Sequence, residues 1–526
     1  MSIHSSAAPS PASDDTVPDP LIWGFNPAGN QGDFARLVPK SPLARRAFSD
    51  VVQQMQEDPH WNEHARRFIQ FAEHTGSHSD SDATTIVDDG MPSRDVRWYG
   101  YYRLNWDIAP ARPRLGWILG SSRPDQADAV DLLLTPLPGQ FRVAGRHCRL
   151  SHNSQSCALL IAADNHRVTV DGIVTLRHNS RVAYRNTGIL IHDLAYTLEF
   201  TDLDPSISRA QMQKSLHIQY ADDRHPSAPV LTPTPNGAVS ECGGYVVHAA
   251  VAGGSFGAVS YGTHVGTGAP VAIKRVRASA ATDYEISLLR SMDHENICRV
   301  EKVLNASGNL VRNPVEDLLI VITPIVTCTL VEYTSIPLRS AEMLAVMTQF
   351  VSRLQYIHHQ GVMYRDIKPA NVGVVVHPEN LRIILLDFGH ATKDLQSSDH
   401  MKGTLPYLAP EIIALKRGRS STLYKNSVDV WAMGLCMFGL ISQSKISWKY
   451  VSESRYETVT AKLELLKSKS NYLEQKCIGL VRKMVAWDPV HRPTAAELMA
   501  TIPTISQRPD DTNKAMPPLK KNRKGM

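Results

Sequence analysis

Between residues 97 and 201 apolar and polar positions alternate with a period near two. The runs 99–104, 116–119, 130–134, 148–150, 158–162, 167–170, 187–191 and 195–200 are rich in apolar and β-branched residues and are separated by turn residues. That rhythm predicts about eight short strands and an all-β sandwich. Further on the periods are mixed. Residues 245–251 read as a strand, and Leu344, Met347, Phe350, Val351, Leu354 and Ile357 recur at helical spacing within 340–359, which predicts a long amphipathic helix. The run 381–386 predicts a buried strand, and 430–441 a core helix, well short of the roughly 20 residues that span a membrane. Ahead of the strand-rich region, Phe48, Val51, Val52 and Met55, then Ala65, Phe68, Ile69 and Ala72, fall at helical spacing. The expected plan is a largely disordered region 1–95 with a helical segment at 42–73, a sandwich at 96–202, a Pro-containing linker at 203–240, an α+β domain at 241–503, and a basic disordered tail at 504–526.

Composition narrows this modestly. A chain of 526 residues with 43% hydrophobic and 20% charged residues needs two or three cores. The net charge of +5 gives no argument for direct nucleic-acid binding. Seven cysteines without repeated spacing suggest no disulfide framework and fit a reduced intracellular compartment, nucleus or cytoplasm. No apolar signal segment opens the chain, and no membrane contact is expected. The basic cluster Lys520, Lys521, Arg523 and Lys524 behind Pro517 and Pro518 has the character that a nuclear import receptor binds.

The chemistry gathers in two short stretches. Asp366, Lys368 and Asn371 lie within six residues, and Asp387-Phe388-Gly389 follows the apolar run that would deliver Asp387 to a cleft. Transfer of a phosphoryl group needs a carboxylate to take the hydroxyl proton, a cation beside the moving group, and oxygen ligands for Mg2+. Upstream, Gly253, Gly254 and Gly257 let a backbone approach phosphate closely. Lys274 lies on a β-branched run, with Glu285 eleven positions later in a helical pattern.

These stretches resemble eukaryotic protein kinases: the D-x-K-x-x-N of residues 366–371, Asp387-Phe388-Gly389, Ala409-Pro410-Glu411, the glycine loop and Val271-Ala272-Ile273-Lys274. The resemblance implies a bilobal kinase fold and Mg-ATP-dependent transfer to serine and threonine hydroxyls of protein substrates. Asp366 and Lys368 would be catalytic, and Asn371 and Asp387 would bind Mg2+. Ala252 (in the first glycine's place), Gly254, Ser255, Gly257, Val259, Ala272, Lys274, Glu285, Ile322, Thr323 and Ile325 would contact ATP, with Ile322 as gatekeeper and 323–325 as hinge. It also implies that Glu411 pairs with Arg492 and that Asp429 braces the catalytic loop. Arg365 would be pinned by a phosphate on Thr392, Ser397 or Ser398, the serines being favoured.

Within 96–202, Gly120, Arg146-His147-Cys148-Arg149-Leu150 and Val170-Asp171-Gly172 resemble a forkhead-associated domain, a reader of phosphothreonine. Ser121 and Ala144 stand where that family has its phosphate-binding Arg and Ser, so Arg123, Arg142 or Arg146 would supply the cation, and His147 would stiffen a loop. Together the two parts resemble fungal checkpoint-type kinases that join these domains. The alternatives are a pseudokinase scaffold and a phosphopeptide-binding adaptor.

Overall fold

The computed structural model describes residues 33–73, 96–121, 130–184, 186–201, 240–254, 257–310, 316–333, 340–376 and 381–506. Their contacts divide the chain into two compact units.

The N-terminal unit contains β1 (Asp33–Pro39), α1 (Pro42–Glu57), β2 (Ile69–Glu73), β3 (Trp98–Asn105), β4 (Trp117–Ser121), β5 (Leu132–Thr135), β6 (Cys148–His152), β7 (Leu159–Ala163), β8 (Val168–Val170), β9 (Val174–Leu176), β10 (Asn179–Val182), β11 (Thr187–Ile191) and β12 (Leu194–Phe200). One sheet runs β2-β3-β1-β12-β11-β8-β9 and the other β10-β7-β6-β4-β5. Every inward position along β12 (Leu194, Tyr196, Leu198 and Phe200) is buried, as alternation demands.

Two expectations fail here. Residues 33–39 are not disordered: β1 lies between β3 and β12, with Leu37 opposite both Leu198 and Tyr102. The helical segment does not run to residue 73 either. Ser41 caps α1 by accepting the Ala44 N–H at 3.2 Å, Pro42 opens it, and Phe48, Val51, Val52 and Met55 are buried along one face. Ile69–Glu73, however, pairs with β3 from Ile69↔Tyr102 to Glu73↔Trp98. The 3.6-residue spacing of Phe68, Ile69 and Ala72 loses to a strand partner about thirty positions away.

The C-terminal unit opens with β13 (Ser240–Cys242), β14 (Tyr245–Gly254), β15 (Gly257–His264) and β16 (Pro270–Val276), then α2 (Ala280–Arg290), β17 (Arg299–Asn305) and β18 (Leu318–Thr323). These strands form one antiparallel sheet, β13-β14-β15-β16-β18-β17. The larger part follows: β19 (Cys328–Thr329), α3 (Ser340–His359), β20 (Val372–Val376), β21 (Leu381–Leu385), α4 (Pro410–Lys416), α5 (Ser427–Ser442), α6 (Glu453–Ser468), α7 (Tyr472–Met484) and α8 (Ala495–Ser506). Residues 428–440 of α5 are all buried, which is why that stretch reads apolar on every side. Among the described residues no helix is long and apolar enough to cross a membrane.

Candidate active site

The site is assembled from strand ends and one tight link. β16 delivers Lys274, and only Arg277, Ala278 and Ser279 separate that strand from α2. Ser279 caps the helix by accepting the Thr282 N–H at 3.1 Å, while the Thr282 hydroxyl donates back to the Arg277 carbonyl at 2.9 Å. Glu285 is thereby turned toward β16. Lys274 Nζ lies 2.9 Å from Glu285 Oε1 and 3.1 Å from Asp387 Oδ1. Burial alone would push the ammonium down; the Asp387 and Glu285 carboxylates outweigh it and hold the pKa above its ordinary value. Burial likewise opposes the Asp387 charge, yet Lys274 and the Gly389 N–H, 3.1 Å away, keep that carboxyl below the usual range.

The catalytic loop hangs from α5. Asp429, fully buried, accepts the N–H of Tyr364 at 2.9 Å and of Arg365 at 2.7 Å, and the His358 ring donates to it at 3.0 Å. Arg365 is held at φ +68°. Such a left-handed backbone is strained in a residue that carries a Cβ, and the two carboxylate bonds hold it there. Asp366 emerges buried and fully engaged. Its Oδ1 accepts the Thr404 hydroxyl at 2.6 Å, and its Oδ2 lies 3.0 Å from Asn371 Nδ2 and 2.9 Å from Lys368 Nζ. Lys368 also donates to Thr404 Oγ1 at 2.9 Å. The Leu386 N–H donates to the Asn371 carbonyl at 3.1 Å, tying this knot to the segment that carries Asp387. Phe388 is buried edge-on against Tyr364, ring centroids 4.9 Å apart. Tyr364 thus packs where it stands.

The two residues expected to bind Mg2+ offer hard oxygens. Asn371 spends its amide N–H groups on Asp366, to the side chain and, at 3.0 Å, to the carbonyl, so the amide oxygen is the atom left to face a cation. Asp387 adds a carboxylate held ionised. Among the described residues no three His, Cys, Asp or Glu side chains gather into a metal cage. Mg2+ does not ask for one, because water and phosphate oxygens fill most of its shell. The donor set fits.

Four of the expected nucleotide contacts, Val259, Ala272, Lys274 and Ile322, share one face of the sheet. Val259 is opposite Lys274, Ala272 is opposite Ile322, and Ala272 and Lys274 are two apart on β16. Ala252 registers with Val259, and Gly254 with Gly257. Gly257 has φ +119°, and a Cβ there would come within 2.0 Å of the Arg275 carbonyl oxygen, so only glycine lets β15 cross β16 this closely. Ser255 lies outside the described residues. At the hinge, Thr323 commits its hydroxyl to Glu301 at 2.5 Å, Ile325 is buried, and Pro324 between them brings a carbonyl but no N–H.

Further down, Arg492 grips Glu411 through both oxygens, at 2.6 and 2.8 Å. Of the three activation-segment hydroxyls, Thr392 is buried and bonded to Asp394 at 2.8 Å, Ser397 Oγ accepts the Asp399 N–H at 3.1 Å, and Ser398 is exposed. Two residues at the site carry no motif that sequence reasoning used. The Tyr284 hydroxyl, on α2, accepts the Lys393 N–H at 3.1 Å, and His390 lies beside Asp366. Tyr284 sits next to Glu285 on the same helix, which was the available signal; for His390 it was only adjacency to Gly389.

With this geometry in hand, the comparisons with known proteins agree on the class. The protein kinase domain family matches residues 245–502. The chain is 31% identical over 286 residues to "Putative mitogen-activated protein kinase 14C" of Drosophila melanogaster, covering 47% of this chain and 77% of that protein. It is 32% identical over 181 residues to the meiosis-specific serine/threonine-protein kinase mek1 of Schizosaccharomyces pombe (32% of this chain, 38% of that protein). It is 28% identical over 226 residues to the inhibitor of nuclear factor kappa-B kinase subunit alpha of Gallus gallus (38% and 27%). The chain belongs to the protein kinase family and is a protein serine/threonine kinase.

Proposed function

We propose that this kinase transfers the γ-phosphoryl group of ATP to serine and threonine hydroxyls of protein substrates in a signalling role of checkpoint type, with Mg2+ at Asn371 and Asp387. The observation that carries the reading is the pair of linked clusters, Asp366–Lys368–Asn371–Thr404 and Lys274–Glu285–Asp387. Asp366 orients the acceptor hydroxyl and takes its proton, its position fixed by three partners. Lys368 holds positive charge beside the transferring group. Lys274, oriented by Glu285, grips the phosphates of ATP, and the glycine hairpin offers backbone N–H groups above them. Mg2+ at Asn371 and Asp387 would neutralise phosphate charge.

Labelled ATP and a mixed peptide library, with wild type beside Asp366→Asn, test this. Transfer should fall by about 10²-fold or more in the variant, that is about 3 kcal/mol of lost transition-state stabilisation. Equal incorporation by both proteins would leave a scaffold without turnover as the reading.

For the N-terminal unit we propose a forkhead-associated-like docking role. Arg142, Arg146 and Arg167 are exposed around His147, which is buried, accepts the Ala144 N–H at 3.3 Å and lies 3.2 Å from the Arg167 carbonyl. Ser121 contributes nothing to a phosphate, since it is buried with its hydroxyl donated to the Val143 carbonyl at 3.3 Å. Arg123 lies outside the described residues, as does the basic stretch 520–524 offered to an import receptor. Binding of phosphothreonine peptides, lost in an Arg142→Ala, Arg146→Ala double variant, is the expected outcome; equal binding of unphosphorylated peptides would refute it.

A further inference from the structure

The residue after Asp387-Phe388-Gly389 carries contacts that no role above uses. The His390 carbonyl accepts Arg365 Nε at 2.6 Å, and its ring Nδ1 accepts the backbone N–H of Gly403 at 3.1 Å. The same ring nitrogen lies 3.7 Å from Asp366 Oδ2. One side chain thus joins the start of the activation segment to its end. Gly403 is at φ +91°, and a Cβ on it would come within 2.8 Å of the Arg365 carbonyl oxygen, so this end of the segment is pressed flat on the catalytic loop. The next residue is Thr404, whose hydroxyl reaches Asp366.

We propose that His390 is a positioning residue for the acceptor side of the reaction: by accepting the Gly403 N–H it holds Thr404 on Asp366 and so fixes the carboxylate that receives the substrate hydroxyl. This rests on the reading of Asp366 given above. The imidazole must be neutral at Nδ1 to accept. Burial favours that form and holds the pKa below its ordinary value, against the pull of Asp366 and Asp387 and with the help of Lys402 and Lys368. Arg365 adds a further positive charge nearby, although it meets the backbone carbonyl rather than the ring.

The experiment uses the full chain, Mg-ATP and myelin basic protein as acceptor, with His390→Phe, His390→Gln, His390→Asn and, as reference, Asp366→Asn. Asn places an amide oxygen near the Nδ1 position, Gln places it further out, and Phe keeps bulk without an acceptor. The Phe and Gln variants should lose about tenfold in kcat/KM for the acceptor protein, the size of one lost hydrogen bond, with KM for ATP moved less than twofold. The Asn variant should recover most of that loss. It should also lack the acid limb that wild type shows, below the ordinary histidine range, as the ring protonates.

Wild-type acceptor kinetics in the Phe and Gln variants would overturn the proposal, as would an Asn variant no better than Phe, or an equal loss in KM for ATP. If the Phe variant does not fold, the contrast between Gln and Asn decides. Transfer retained in Asp366→Asn would instead refute the role given to Asp366 and leave the His390 contacts without a catalytic meaning.

Discussion

Two buried ion pairs in the C-terminal unit use similar chemistry to opposite ends. Arg492 has five N–H groups, and five acceptors meet them: both oxygens of Glu411 and the carbonyls of Ala486, Trp487 and Ser427, at 2.6–3.3 Å. Its plane also lies over the Trp431 ring, 5.0 Å from the centroid. Nothing about it can accept a new partner without losing an old one. Lys274 has three N–H groups and meets two carboxylates that come from different parts of the chain, Glu285 on α2 and Asp387 beyond β21. The Asp387 side chain remains 21% exposed. A saturated pair acts as a rivet. A pair with donor capacity left, held between elements that meet only in the fold, is arranged for a ligand.

The sharpest test of that contrast has the largest effects. Lys274→Met should cut phosphate transfer by about 10²–10³-fold, about 3–4 kcal/mol, and lower the thermal unfolding midpoint less than the rivet's loss does, because Asp387 is partly exposed and the two stranded carboxylates can share a proton. Arg492→Met should do the reverse. It strands the Glu411 carboxylate and takes a donor away from three carbonyls, which costs on the order of 3–5 kcal/mol of stability, with kcat per folded molecule retained. Transfer assays and unfolding curves on the same preparations check both; if each variant loses the same property, the distinction between rivet and ligand site fails.

A third measurement carries the comparison to the N-terminal unit, where a titratable ring is buried among aromatic side chains. His152 is fully buried among Phe34, Trp106 and Trp117, and burial pushes its pKa to about 3; the His147 ring is lowered to about 4 for the same reason first. In the unfolded chain both would protonate near 6.5. Between those values the folded unit binds fewer protons than the unfolded chain, so stability present above pH about 6.5 is lost as pH falls toward 4 and then 3. The loss is at most about 1.4 kcal/mol per pH unit for each ring. Tryptophan fluorescence during urea unfolding should show it, and His152→Phe should flatten the slope; an unchanged slope counts against the account. The smallest expected effect belongs to Tyr284→Phe. Losing the bond to the Lys393 N–H should lower kcat about two- to fivefold through a less firmly held α2, within the range of one neutral hydrogen bond, with no change in unfolding midpoint. A loss confined to KM for the acceptor protein would contradict it.

Much of the kinase half could be read from sequence because its chemistry is written in contiguous strings. Asp366, Lys368 and Asn371 share one loop, Asp387 is delivered by an apolar run, and β16 announces Lys274 by its β-branched neighbours. The resemblance to kinases also implied two long-range pairings, Glu411 with Arg492 and Asp429 with the loop backbone, and both are found bonded. What local pattern missed depends on distant pairing. β1 is seven residues in a polar, proline-containing neighbourhood, and its reason to be a strand is β12, some 160 positions later. The β2 segment has helical spacing, yet its hydrogen-bonding partner is β3. The His390 contact to Gly403 leaves no periodic trace at all, because it depends on how a loop closes. One design rule follows from β1. A fragment beginning at residue 96 would lack both β1 and β2, leaving β3 with no neighbour on either side and β12 as a bare edge.

The three-residue connection before α2 sets a limit on control of this enzyme. Arg277 to Ser279 can span only about 10 Å when fully stretched, and hydroxyl bonds from Ser279 and Thr282 already stitch it shut. A helix on so short a leash has no slack to pivot outward as an intact rod. Any inhibitor or partner that parts Glu285 from Lys274 must therefore unwind the first turn of α2, and its affinity will be reduced by the work of that local melting.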